Sequence, residues 1–161
     1  MLNPYWNQEQ SKQKASQTQK RASAQEFDHA RTRSLWNRMT HKMTFKPSRL
    51  KELQGEQTSL YQLPRAEIGI QSVPVEKIVG SLSRSHDFDS TFMPLNDRSR
   101  DRWISVDRLY HQTDNLPPVK LYLVGGEYYV VDGHHRISVI RNHGQLYVEA
   151  EVTRLDPAVR N

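Results

Sequence analysis

Residues 119–144 read VKLYLVGGEYYVVDGHHRISVIRNHG, and the change of pattern along them decides the fold. Val119–Val124 is a β-branched and aromatic run, which predicts a strand. Gly125-Gly126 is a two-residue hairpin signal. Residues 127–131 predict the returning strand, which Asp132-Gly133 break. A helix follows over 134–143, with Ile137, Val139 and Ile140 as its apolar positions and Gly144 as the residue past its end. Residues 146–152 then alternate as a final strand. Leu146, Val148, Ala150 and Val152 share one face; Tyr147, Glu149 and Glu151 share the other.

Upstream, Asn96 is placed to cap a helix over 97–112, with Trp103, Val106, Leu109 and Tyr110 on one side and Pro117-Pro118 as its stop. Ile70, Val73, Val75, Ile78 and Val79 predict a strand and a short turn of helix. Gly80-Ser81-Leu82-Ser83-Arg84 reads as a loop, and 85–95 as irregular. The expected fold class is α+β: a small mixed sheet with packed helices over 70–156, with 157–161 as a tail.

The N-terminal part has a different composition. Residues 1–22 are rich in Gln, Ser and Lys, and predict a disordered or extended arm. Ser23-Ala24-Gln25-Glu26 has the pattern of a capping box. Phe27, Leu35, Met39 and Met43 follow at multiples of four, which predicts a helix over 23–44 docked through those residues. Pro47 ends it. Residues 48–54 predict a short helix stopped by Gly55, and 55–69 a linker, so 23–69 forms a helical segment ahead of the domain.

The chain of 161 residues is 35% apolar, with pI about 9.6. Residues 1–60 hold 11 Lys/Arg and 5 Asp/Glu, net +6; the rest hold 12 and 13, net −1. The basicity belongs to the N-terminal part, so it does not imply a domain that grips nucleic acid. There is no Cys, which excludes disulfide scaffolds, thiolate metal sites and Cys nucleophiles. No stretch is long and apolar enough to span a membrane, and the N-terminus lacks the apolar core of a secretory signal. A cytoplasmic protein is expected.

Asp132-Gly133-His134-His135-Arg136 carries most of the chemistry. A helix start presents free N–H groups and partial positive charge, which suits a phosphate or carboxylate. Gly133 permits a sharp turn, and Arg136 adds a fork of donors. His134 and His135 can donate hydrogen bonds or exchange protons. The alternative is that Asp132 caps the helix and the run is a solvated first turn. No metal site is expected here. Adjacent His side chains diverge by about 100°, and His143 lies roughly 12 Å from His135 along the axis. A hairpin followed by a His-bearing helix is also found in ββα-metal nucleases, a minor alternative.

Two further candidates stand beside this one. In the loop, Ser81 and Arg84 can hold phosphates, and Asp87 or Asp89 can hold magnesium through a nucleotide or orient a hydroxyl. The bland reading is ordinary loop composition. Arg31, Arg33, Arg38 and Lys42 make the N-terminal helix basic. It can touch nucleic acid or an acidic protein weakly, or be a solvated face. Oligomeric state is not legible.

VPVEKIVGSLSR, LPPVKLYLV and EYYVVDGHHRISVIRNHG, with a closing strand, resemble the ParB/sulfiredoxin superfamily over residues 73–153. The look is that of small bacterial ParB-like proteins with a DGHHR box and a helical N-terminal extension. The resemblance implies a nucleotide di- or triphosphate, with or without magnesium. It would sit between the first loop (Ser81, Arg84) and the box (Asp132, Gly133, His134, His135, Arg136). It implies His134, His135 and Asp87 as catalytic candidates. In sulfiredoxin a Cys stands where His134 is, so sulfinic acid reduction is not implied. In chromosome-partition ParB a Glu-Arg pair stands at His134-His135, and no helix-turn-helix follows the box here, so DNA sliding is not implied. The Asp-Gly-His-x-Arg box of archaeal free-serine kinases matches more fully; those need an acidic base, for which Glu76 or Asp87 stands available. The functions implied are hydrolysis or transfer of a nucleotide phosphoryl group, or a non-catalytic nucleotide-sensing or partner-binding module.

Overall fold

The computed structural model describes residues 4–44, 49–53 and 63–156, with side chains from residue 9 to 40 in the first stretch. Its elements are α1 (Pro4–Thr44), β1 (Lys51–Glu52), β2 (Arg65–Pro74), β3 (Ile78–Ser81), α2 (Arg100–Tyr110), β4 (Val119–Val124), β5 (Glu127–Asp132), α3 (His134–Asn142) and β6 (Tyr147–Leu155). The six strands form one mixed sheet in the order β1-β3-β5-β4-β6-β2. β4 pairs antiparallel with β5, and β2 with β6; β1–β3, β3–β5 and β4–β6 are parallel. The expected α+β architecture behind an N-terminal helix is therefore the one observed.

The decisive stretch folds as its pattern predicts. Gly125 and Gly126 both take positive φ (58° and 86°), the geometry that lets two strands reverse without splaying. α3 is short but buried on two sides. Ile137 and Ile140 face the sheet core of Val73, Val119, Leu121, Val130, Val148, Ala150 and Val152. Val139 faces a second cluster with Phe27, Ala30, Met93, Trp103 and Ile104, where α1 and α2 meet it. The Trp103 Nε1–H donates to Ser138 Oγ at 2.9 Å, so the buried indole loses no hydrogen bond. Asn96 caps the turn before α2 by accepting from the Arg98 N–H.

Several expectations are corrected. α1 begins at Pro4, not at Ser23. Ser23 lies buried in mid-helix, so it caps nothing, and the stretch expected as an arm continues the helix. Gln, Lys and Ala tolerate helix well, so nothing in that stretch stops it. Phe27 docks, but with Ser23, Ala30 and Ser34, whereas Leu35 and Met39 are 53% and 64% exposed. A spacing of four drifts about 40° per step around a helix of 3.6 residues per turn, so a line of fours leaves the buried face. The Met43 side chain lies outside the described residues.

Lys51–Glu52 is a strand beside β3 where a short helix was expected, with Leu50 buried behind it. β2 begins at Arg65, inside the expected linker; residues 54–62 lie outside the described residues, as does the 157–161 tail. Gly80 and Ser81 end a strand rather than open a loop. Gly80 is required there: a Cβ would meet the Lys51 carbonyl oxygen at 2.3 Å. The last strand runs to Leu155, and Leu146 is exposed. Among the described residues no helix is long and apolar enough to cross a membrane.

Candidate functional site

The end of β3 and the start of α3 meet because β3 and β5 are parallel neighbours. Both chains therefore leave the sheet on the same side, one into the loop after Ser81, the other through Gly133 into α3. Gly133 takes φ of 99°. A Cβ there would lie 2.5 Å from a Val119 methyl, so any other residue is both strained and crowded. Among the described residues no side chain caps α3. The first N–H groups of the helix have no intrahelical acceptor.

The Ser81 hydroxyl ties the two chains together. Its Oγ accepts from the Ser83 N–H at 3.2 Å and the Arg84 N–H at 2.9 Å. Both lone pairs are thus used, and the O–H must donate to His134 Nε2, 2.7 Å away. This network assigns His134 as neutral, with its proton on Nδ1. Burial agrees: desolvation first, then the Arg84 charge, pushes its pKa down to about 4. Ser81 is fully buried, so its hydroxyl braces the site from beneath and is not an accessible nucleophile.

His135 is different. It is 4% exposed, and its Nε2 has no hydrogen-bond partner among the described residues. Burial, followed by the charges of Arg84 and Arg102, lowers its pKa to about 4. The Phe88 ring stands edge-on to it, with centroids 5.5 Å apart, and stacks with His134 at 6.2 Å. His134 and His135 line a cleft of about 50 Å³ with Arg84, Arg102, Asp132, Gly133 and Arg136.

The two acidic residues at this site are already engaged. Asp87 accepts from Arg84 Nε at 3.0 Å. Asp132 accepts from Arg136 Nη2 at 2.6 Å rather than capping α3. Arg136 also donates through Nη1 to the carbonyls of Pro117 and Pro118, at 2.8 and 2.7 Å. Its charge borders the cleft, but its guanidinium is held by the protein. Asp89 is buried and structural: its Oδ1 accepts from the Thr91 and Met93 N–H groups and the Thr91 hydroxyl, while Oδ2 accepts from Asn37. Glu76 is brought instead to a larger cavity of about 540 Å³, bounded by Arg33, Val75, Arg141 and Leu146.

Ser81, Arg84, Asp87, Asp132, Gly133, His134, His135 and Arg136 thus gather at one place. The chemistry available there is anion binding by an uncapped helix end, ringed by arginines, over a neutral imidazole. A ββα-metal arrangement has little support, because His134 Nε2 is spent on Ser81 and Asp132 on Arg136. Sequence reasoning missed Arg102, which only the packing of α2 on α3 brings near. It also missed the spacing Asp107-x-x-x-His111, four residues apart on a helix that was itself foreseen. The basic face of α1 is partly consumed: Arg31 pairs with Asp97 and Arg33 bonds Asn142, while Arg38 is exposed.

No protein-family model matches the chain, and no curated protein matches it. The crystal structure of sulfiredoxin from Arabidopsis thaliana is similar to it, with 23% identity over 52% of this chain and 82% of that one. The TM-score is 0.40, a likeness too loose to transfer residues or activity.

Proposed function

We propose that the cleft at the start of α3 binds the phosphoryl end of a nucleoside di- or triphosphate. The observation that carries this is that His135, whose buried Nε2 has no partner among the described residues, lines a cleft at an uncapped helix N-terminus together with Arg84 and Arg102. Free N–H groups and the helix dipole favour an anion. A neutral His135 offers an N–H donor without adding desolvated charge. A cleft of about 50 Å³ takes a phosphoryl group rather than a whole nucleotide, for which pockets of roughly 300–1,000 Å³ are usual. The base and ribose therefore lie outside it. Asp87 and Asp132 are both paired with arginines, so magnesium arrives with the nucleotide or not at all. ParB/sulfiredoxin-like nucleotide binding is the family form of this reading.

Calorimetric titration with pyrophosphate, ADP and ATP, each with and without magnesium, tests it. Arg84→Ala and Arg102→Ala should each weaken binding by about tenfold or more, since a charged hydrogen bond contributes roughly 1.5–3 kcal/mol. Arg154→Ala, in β6, should leave it unchanged. No saturable binding, or equal affinity in Arg102→Ala, would contradict the reading. Release of orthophosphate that falls in His135→Gln while affinity holds would make the protein a hydrolase with His135 moving the proton. Binding without release would make it a sensing module.

A further inference from the structure

Where the C-terminal ends of α2 and α3 meet, three side chains gather that the phosphoryl cleft does not use. Asp107 lies on α2, and His111, four residues later, caps the end of α2 in helical conformation, which puts the two on one face. His143 follows directly on α3. The Asp107 carboxylate is fully buried. Its Oδ1 is 2.7 Å from His143 Nε2. Its Oδ2 has no hydrogen-bond partner among the described residues, and His111 Nε2 lies 3.8 Å from it. One ligand atom from each of the three residues lies within 4.8 Å of the others. The Tyr110 ring lies flat on His143, with centroids 4.5 Å apart and planes 6° from parallel, which fixes that imidazole. His111 is exposed, so the cluster opens to water on its side.

A buried carboxylate oxygen without a donor is costly, and beside it the His111 and His143 rings stand edge-on with centroids 5.0 Å apart. One carboxylate and two imidazoles are a donor set for a divalent transition ion. Magnesium and calcium prefer ligands that are all oxygen. Bonds of about 2.0–2.1 Å in a tetrahedron place ligand atoms about 3.3 Å apart. His143 Nε2 is 2.7 Å from Oδ1 and His111 Nε2 is 3.8 Å from Oδ2, and one donor atom from each residue lies within 4.8 Å of the others, so side-chain rotation must bring one carboxylate oxygen and both imidazoles to that spacing.

We propose that Asp107, His111 and His143 form a binding site for a divalent transition metal of the zinc class, with water in the open fourth position. The His143 Nε2 lone pair binds the ion, so any proton that Nε2 shares with Asp107 moves to Nδ1 or to solvent. The ion ties the end of α2 to the end of α3. It lies at the opposite end of α3 from the phosphoryl cleft and does not depend on that reading.

The test uses the full chain stripped with chelator and titrated with cobalt(II), then zinc. One equivalent of cobalt should give visible absorption of tetrahedral intensity, which zinc abolishes by displacement. Zinc should raise the melting temperature, and magnesium should do neither. His111→Ala removes an exposed ligand without touching the core. It should keep the circular dichroism of the parent and weaken cobalt binding at least about tenfold. His143→Ala should do the same to binding. His29→Ala, on α1, should bind as the parent does. Parent-like cobalt binding by His111→Ala, or no saturation by zinc below about 1 mM, would overturn the proposal.

Discussion

His134 and His135 are next to each other in the chain yet do different work. His134 accepts a hydrogen bond from the Ser81 hydroxyl and holds loop and helix together; His135 keeps a buried nitrogen without a partner among the described residues. Burial first, then neighbouring arginines, lowers both pKa values to about 4. Both imidazoles are therefore neutral in the folded state at pH 7. In the unfolded chain they regain ordinary values near 6.5. Between pH 6.5 and 4 the unfolded state binds more protons, so stability falls as pH drops through that window and is insensitive to these groups above it. Together the two should cost on the order of several kcal/mol by pH 4. Denaturant midpoints at pH 7.5, 5.5 and 4.5 should fall in that order. Imidazole resonances of both residues should titrate below pH 5; midpoints near 6.5 would show that neither is buried as described.

At the scale of elements, what was legible was what is local. The hairpin of β4 and β5 follows from two glycines with positive φ between alternating runs, and α3 from its start at Gly133 and its end at Gly144. The box was found because its glycine and its charged residues are contiguous. β1 was not legible: two exposed residues, Lys51 and Glu52, become a strand only because β3 lies beside them. The buried face of α1 was misread because it uses Ser23, Ala30 and Ser34, small residues that give little hydrophobic signal, while Leu35, Trp36 and Met39 point outward. A sharp test follows. Phe27 is fully buried against Trp103, with ring centroids 5.7 Å apart and an edge-on geometry. Phe27→Ala should cost roughly 3–5 kcal/mol. Leu35→Ala combined with Met39→Ala should stay within about 1 kcal/mol, as surface changes do. Thermal or urea unfolding of both variants checks this; similar losses would mean that the outer face of α1 is covered.

For the whole molecule, the sheet does one thing for the cleft. Parallel pairing of β3 and β5 releases two chains on the same side, and the Ser81–His134 bond fixes their separation. α2 then brings Arg102 to the rim. Charge is distributed to match: residues 61–161 carry no net basic excess, so positive charge there is local to the cleft, and the basic excess of the chain belongs to the N-terminal part. Arg31 and Arg33 on α1 are bonded to Asp97 and Asn142, which leaves that helix a weaker basic surface than its composition implies. Recognition is accordingly expected to be of a small anion at one site rather than of a polyanion along a face. The most direct measurement is an amide proton–nitrogen spectrum of the labelled protein titrated with pyrophosphate. The account predicts saturable shifts concentrated at His134, His135, Arg136, Arg84 and Arg102, with the amides of β2 and β6 unmoved. Saturable shifts centred elsewhere, or none at the start of α3, would contradict it.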